Sequence, residues 1–226
     1  MKVVAMIPAR MTSKRVKKKN IRLLNGKPMI QYVIETALAA NCFDEVWVNS
    51  ESEIIKEIAL ECGAKFYKRS EKLCKDNVGS DLFVDDFIKN VECETIVQIL
   101  PTSPFITVEQ IKNFVNESKD CDTLISVKDV KIESLYLGCP INFNERKPTP
   151  PSQLLTPIEA YACSLMAWKS TNYRQNMDKY GCAYHGGDGV KKTFTVRGYG
   201  ELDVDTEEDF LLAEAIAQTL SRPPRS

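Results

Sequence analysis

Val3, Val4, Ala5, Met6 and Ile7 form an uninterrupted apolar run near the start of the chain. So short and continuous a run suits a strand buried on both faces, as in a parallel sheet covered by helices. The residues after it are of the opposite kind. Arg10, Lys14, Arg15, Lys17, Lys18 and Lys19 place six cations within ten positions. Open α/β sheets bind ligands in the loops that leave the carboxyl ends of their strands. Like charges at this density repel unless solvent or an anion accommodates them, and a triphosphate is such an anion. A solvated basic face or a nucleic-acid patch is the competing reading. Two details favour a site. The cluster directly follows a first strand, and it contains Ser13 and Asn20, neutral groups suited to orienting a ligand. Neither G-x-x-x-x-G-K nor G-x-G-x-x-G occurs there, so phosphates would be held by side-chain cations as well as backbone N–H groups.

The remaining pattern alternates strand and helix. Pro28 suits the first turn of a helix on which Met29, Ile30, Val33, Ile34, Ala37 and Leu38 share a face. Glu45–Asn49 reads as a strand, and Ser50 with Glu53 as a capping box. Ile54, Ile55, Ile58 and Ala59 recur at helical spacing, Gly63 closes that helix, and Lys65–Lys68 is a third strand. This order predicts a parallel sheet with crossover helices. Ser80–Lys89 predicts a helix with Leu82, Phe83, Phe87 and Ile88 inward. Thr95–Leu100 predicts a central strand that stops at Pro101-Thr102-Ser103-Pro104. Those two hydroxyls either cap the turn or face a ligand. Thr107 with Gln110 caps a helix carrying Ile111, Phe114 and Val115, and Thr123–Val127 is a further strand. Pro140–Pro157 is long, Pro-rich and irregular, the character of a functional or interaction segment. Tyr161–Trp168 and Thr193–Val196 return to strand character.

Composition excludes several classes. Lys plus Arg is 30 against 31 for Asp plus Glu in 226 residues, so no general field calls for nucleic acid or a membrane surface. No apolar stretch approaches a membrane span. The eight cysteines are scattered without C-x-x-C. The chain opens on a core strand rather than a signal segment, so reduced thiols and a cytoplasmic location are expected. His185, the only histidine, lies in a Gly-rich loop and is read as a surface residue outside any mechanism.

Asp203 and Asp205 are the second chemical feature. Residues two apart in extended backbone project to one side, so both carboxylates can aim at one point. Such hard oxygens suit Mg²⁺, which keeps waters and completes its shell with substrate phosphates. The alternative is that they complement the N-terminus of a helix capped by Thr206 and Asp209, with Phe210, Leu211, Ala213, Ala215 and Ile216 following. A D-x-D also serves as the metal motif of nucleotide-sugar glycosyltransferases.

Ile7-Pro8-Ala9-Arg10, two residues, Ser13-Lys14, four residues, Lys19-Asn20 resembles the opening signature of the CMP-sugar synthetases, the acylneuraminate cytidylyltransferases and their relatives. Asp203-x-Asp205-Thr206 resembles their second signature. The resemblance implies an α/β, Rossmann-like, mostly parallel sheet flanked by helices. It implies one nucleotidyltransferase domain over residues 1–220, with a dimerisation arm at about 131–160, while Ser221–Ser226, which has no periodicity, is expected to be a disordered tail. It further implies transfer of CMP from CTP to a nonulosonic or other 2-keto sugar acid, with pyrophosphate released. Arg10 and Lys19 would be catalytic. Arg10, Ser13, Lys14, Asn20, Arg69, Asp76 and Ser80 would contact the nucleotide, and Asp203 and Asp205 would hold Mg²⁺. A homodimer is expected, with no nucleic-acid or membrane partner. Two departures leave the acceptor open. Leu100 replaces a glutamine of the family, and Pro157-Ile158-Glu159-Ala160 replaces an Asn-Gly or Ala-Gly element. A D-x-D glycosyltransferase and a binding module without turnover are the other readings.

Overall fold

A computed structural model describes residues 2–221. The opening apolar run is strand β1 (Val3–Pro8), buried at every position. A small hairpin of β2 (Leu23–Leu24) and β3 (Lys27–Pro28) leads into helix α1 (Met29–Ala40). Pro28 therefore precedes the helix in extended backbone instead of lying in its first turn. The fixed φ of its ring serves either conformation. Strand β4 (Glu45–Ser50), helix α2 (Glu53–Glu61) and strand β5 (Lys65–Lys68) follow. The cap of α2 is Ser52, whose side chain accepts the Ile55 N–H at 3.4 Å, and not Ser50. Ser50 is still in the strand, and its Oγ takes the Ser52 N–H at 3.1 Å. Gly63 ends the helix as expected, at φ +87°, where a side chain is disfavoured.

Helix α3 (Ser80–Asn90), strand β6 (Thr95–Ile99), helix α4 (Val108–Glu117) and strand β7 (Thr123–Val130) continue the alternation. A two-residue ribbon, β8 (Leu135–Tyr136) with β9 (Cys139–Pro140), lies within the irregular segment. Strand β10 (Ile158–Lys169), helix α5 (Ser170–Tyr180), strand β11 (Lys191–Thr195) and helix α6 (Glu207–Leu220) complete the described chain. The capping boxes at Thr107 and Thr206 both form.

Seven strands make one sheet in the order β11-β7-β10-β6-β1-β4-β5. All neighbours are parallel except β10, which runs against both β6 and β7. The chain builds outward from β1 to β5 and then crosses to β6 on the other side. The order thus reverses between β1 and β6, and ligands of such sheets bind at the carboxyl ends of the strands at that point. Side-chain alternation along β1 serves two cores. Val3, Ala5 and Ile7 face α1, α2 and α4, while Val4 and Met6 join Phe87 of α3 and Tyr173 of α5 on the opposite face. A third cluster gathers Met29, Phe105, Phe210 and Ala213 around Val16, a fully buried residue in the middle of the basic loop.

Some apolar positions turn outward. Ile54, Leu82 and Leu211 are 48%, 47% and 60% exposed. In α3 the buried stripe is Val84, Phe87 and Ile88, and Leu82 lies about 200° round the helix from Val84. Residues 131–157 leave the ladder at the Val130–Ile158 pair and expose Leu135, Tyr136, Leu137, Ile141 and Leu154.

Phe114 is fully buried and meets Phe194 edge-on at 5.4 Å between centroids. Phe114→Ala should cost about 3–5 kcal/mol. A matching fall in the urea midpoint, with the slope unchanged, checks this.

Candidate active site

The cleft opens at the sheet's reversal point, with a volume of about 640 Å³. The end of β1 delivers Arg10, and the loop beyond delivers Ser13, Lys14, Lys19 and Asn20. Arg69, Asp76 and Ser80 come from the segment between β5 and α3. Asp203 and Asp205 come from the extended approach to α6. Every site residue expected from the sequence thus lines one cleft. Leu100 lines it as well, placing an apolar surface where the resemblance expects an amide.

Two carboxylates answer the charge of the basic loop. Asp76 accepts Arg10 Nη1 at 2.7 Å through Oδ1 and pairs with Lys14 Nζ at 2.6 Å through Oδ2. Lys14, and then Arg10, hold its carboxyl below the usual range. On the other side Asp205 accepts Lys19 Nζ at 2.9 Å through Oδ1 and pairs with Arg15 Nη2 at 3.0 Å through Oδ2. Lys19 also donates to the Val204 carbonyl at 2.6 Å, and Asn20 Nδ2 donates to the Arg10 carbonyl at 2.8 Å. The exposed pairs of Arg10 and Lys14 with Asp76 and of Arg15 with Asp205 are weak, as surface ion pairs are, so an incoming polyanion can exchange with them, whereas Lys19 is largely buried. Asn20 Oδ1 is buried and has no hydrogen-bond partner among the described residues.

Arg69 is only 4% exposed. Its Nε donates to Asn49 Oδ1 at 2.8 Å and its Nη2 to the Asn49 carbonyl at 2.9 Å, while its guanidinium lies 4.3 Å from the centre of the Phe83 ring. Burial lowers its pKa. Its direct hydrogen bonds to Asn49 are with neutral groups, and the Glu51 carboxylate nearby offsets only part of its burial, so it retains a demand for an anion. Asn49 was not apparent from the sequence, because it reads there as an ordinary strand-end amide. Its place beside Arg69 follows from the pairing of β4 with β5.

The opposite wall is acidic. The Asp203 carboxyl is pushed up by burial, eased by a hydrogen bond from Thr102, and pushed up again by Asp205. Thr102 also accepts the Val204 N–H at 2.8 Å through its carbonyl, tying the Pro101–Pro104 turn to this segment. Ser103 does not face the cleft and is fully buried. A partly desolvated carboxylate beside a second, half-exposed one fits a hard divalent cation such as Mg²⁺. No group of three or more His, Cys, Asp or Glu side chains able to hold a metal occurs among the described residues, so waters and substrate oxygens would complete the shell.

Cys163 is the unforeseen lining residue. The β10–β7 register shifts between Tyr161 and Met166, and Cys163 adopts φ +57° there. Such a bulge re-aims a side chain. Here it turns the thiol into the cleft, where burial, then Asp203 and Asp205, push its pKa up. All eight cysteines are free, and His185 is exposed, in tilted contact with Tyr161 and edge-on contact with Tyr184, and outside the cleft lining.

Asn49→Ala should destabilise the fold by about 1.5–3 kcal/mol, since it removes a hydrogen bond to a buried charge. Arg69→Met, which removes the charge together with its demand, should cost less. Urea denaturation of the two variants side by side checks the order.

The family model described as Cytidylyltransferase matches residues 4–136. CMP-N,N'-diacetyllegionaminic acid synthase of Legionella pneumophila is 35% identical over 142 residues, 59% of this chain and 60% of that protein. N-acylneuraminate cytidylyltransferase of Streptococcus agalactiae serotype V is 29% identical over 236 residues, 93% of this chain and 52% of that protein. Pseudaminic acid cytidylyltransferase of Campylobacter jejuni is 36% identical over 118 residues, 50% of this chain and 51% of that protein. The chain thus spans about half the length of the curated relatives it matches. Its fold is that of CMP:2-keto-3-deoxy-manno-octonic acid synthetase, solved in complex with CTP, with a TM-score of 0.73 over 97% of this chain and all of that one at 17% identity. The matched segment runs from β1 through β8 and carries the whole basic loop and the Arg69–Ser80 segment, and on that match the chain belongs to the cytidylyltransferase family.

Proposed function

We propose that the chain transfers a cytidylyl group from CTP to a hydroxyl of a nonulosonic or other 2-keto sugar acid and releases pyrophosphate. The observation that carries this reading is the cleft itself, with the exchangeable cations Arg10 and Lys14 on one wall and the Asp203–Asp205 pair on the other. Relatives named for N-acylneuraminic, pseudaminic and N,N'-diacetyllegionaminic acids support the acceptor class.

In the reaction the sugar oxygen attacks the α-phosphorus in line. Negative charge grows on the oxygen bridging to the β-phosphate as that bond breaks. Arg10, Lys14 and Lys19 are placed to receive this charge, the clamp logic of phosphoryl transfer. Arg69, fixed from behind by Asn49, adds a cation that needs little reorganisation. Asn20 Oδ1 offers an acceptor to a ligand hydroxyl. Mg²⁺ on Asp203 and Asp205 would neutralise phosphate charge and lower the pKa of the attacking hydroxyl.

A pyrophosphate-release screen of keto-sugar acids with CTP and Mg²⁺ tests the reading. Release with at least one such acid is expected, and release of nucleotide diphosphate from a nucleotide-sugar donor would point to a glycosyltransferase instead. Arg10→Ala should lower kcat about 10²–10³-fold, as for loss of one transition-state contact. Because Arg10 engages the exposed Asp76 and, at 3.4 Å, the Cys74 carbonyl, the melting temperature of Arg10→Ala should stay near that of the parent chain.

We also assign residues 131–157 to a homodimer interface. The exposed run Leu135, Tyr136 and Leu137, with Ile141 and Leu154, gives the arm more apolar surface than its own domain covers. Sedimentation at micromolar concentration should show a dimer, and Leu137→Asp with Leu154→Asp should shift it towards monomer.

A further inference from the structure

Asp205 carries two cations that are held very differently. Lys19 is only 12% exposed at its side chain and is pinned by the Val204 carbonyl as well as by Asp205. Arg15 is 67% exposed, and its ion pair with Asp205 Oδ2 at 3.0 Å is its one polar contact among the described residues. Lys19 is therefore part of the wall, whereas Arg15 is held there by a single surface ion pair. Arg15 also lines the same cleft as Arg10 and Lys14 and follows Lys14 directly in the chain. Val16, the next residue, is fully buried, so the backbone is anchored while the long Arg15 side chain is free to swing.

We propose that Arg15 is an exchangeable counter-ion of Asp205: it competes with a divalent cation for that carboxylate and moves to the substrate's phosphates when the cation displaces it. The inference rests on the reading of Asp203 and Asp205 as the metal-binding pair. One oxygen cannot serve a guanidinium and a small divalent cation equally, because both claim its lone pairs and their positive charges repel. The displaced guanidinium finds its next anion close by, since the triphosphate would lie against Arg10 and Lys14. Arg15 thus couples the two ligands. It opposes metal binding in the absence of nucleotide, and that opposition disappears once phosphates are present.

Mn²⁺ serves as a spectroscopic probe of a hard-oxygen site. Its binding to the full chain, without nucleotide, is measured from the electron paramagnetic resonance of the free ion. Arg15→Ala should tighten Mn²⁺ binding about two- to fivefold, the size expected for removing an exposed ion pair. Lys17→Ala removes an equal charge from the same loop, and the ion pairs of Asp205 do not include Lys17. It should change Mn²⁺ binding less, because a charge without contact is screened. Calorimetric titration with CTP at saturating Mn²⁺, with no acceptor present, should show weaker binding by Arg15→Ala than by the parent chain, and unchanged binding there would overturn the move to the phosphates. Equal effects of Arg15→Ala and Lys17→Ala, or none from either, would overturn the exchange. Asp205→Asn separates the two levels. If it weakens Mn²⁺ binding while Arg15→Ala changes nothing, only the role of Arg15 falls. If it leaves Mn²⁺ binding untouched, the metal assignment falls, and the exchange with it.

Discussion

Six cations in ten residues repel one another, and the site depends on where that repulsion is answered. Asp76 takes Arg10 and Lys14 from one side, and Asp205 takes Arg15 and Lys19 from the other. The two acids come from segments about 130 residues apart in sequence, so the loop links the β5–α3 connection to the approach of α6. Apolar packing holds the loop down at one point: Val16 inserts among Met29, Phe105 and Phe210. The result is a cationic surface that is fixed in place and, apart from the largely buried Lys19, neutralised by weak, exposed pairs. Such pairs can give way to a triphosphate without dismantling the loop.

The sheet explains why these segments meet. Strand order reverses between β1 and β6, and each parallel strand sends its carboxyl end to the same edge. Arg10, the Asn49–Arg69 pair and Thr102 therefore arrive together from four strands distant in sequence. The antiparallel β10 contributes from the other direction, through the bulge that turns Cys163 inward. The arm leaves the sheet between β7 and β10, neighbouring strands on the far side of β6 from β1, and its apolar face is exposed on the single chain.

Much of this was legible in the sequence because the physics was local. The continuous burial of β1 and β6, the caps at Thr107 and Thr206, the αL glycine at Gly63 and the D-x-D each depend on neighbours a few residues away. What was not legible depended on partners far along the chain or on small shifts of register. Ser50 and Ser52 are both plausible caps, and only the end of β4 decides between them. Leu82 and Leu211 are apolar yet exposed because the stripe of each helix is set by the layer beneath it. Helix α5 gives little signal, since Tyr173 and Asn176, its buried large side chains, stand among polar residues. Arg69 looked ordinary until β5 placed it against Asn49, and Cys163 looked like a regular strand residue until the ladder slipped.

The central claim is that one cleft holds the triphosphate on the Arg10–Asn20 loop and a divalent cation on the Asp203–Asp205 pair. A crystal structure of the chain grown with CTP and Mn²⁺, with data collected at the manganese absorption edge, tests it most directly. The account predicts phosphate oxygens within hydrogen-bonding distance of Arg10, Lys14 and Lys19, with Asp76 released from its pairs. It also predicts an anomalous peak against Asp203 and Asp205. Nucleotide bound elsewhere, or a manganese peak remote from those two carboxylates, would contradict it.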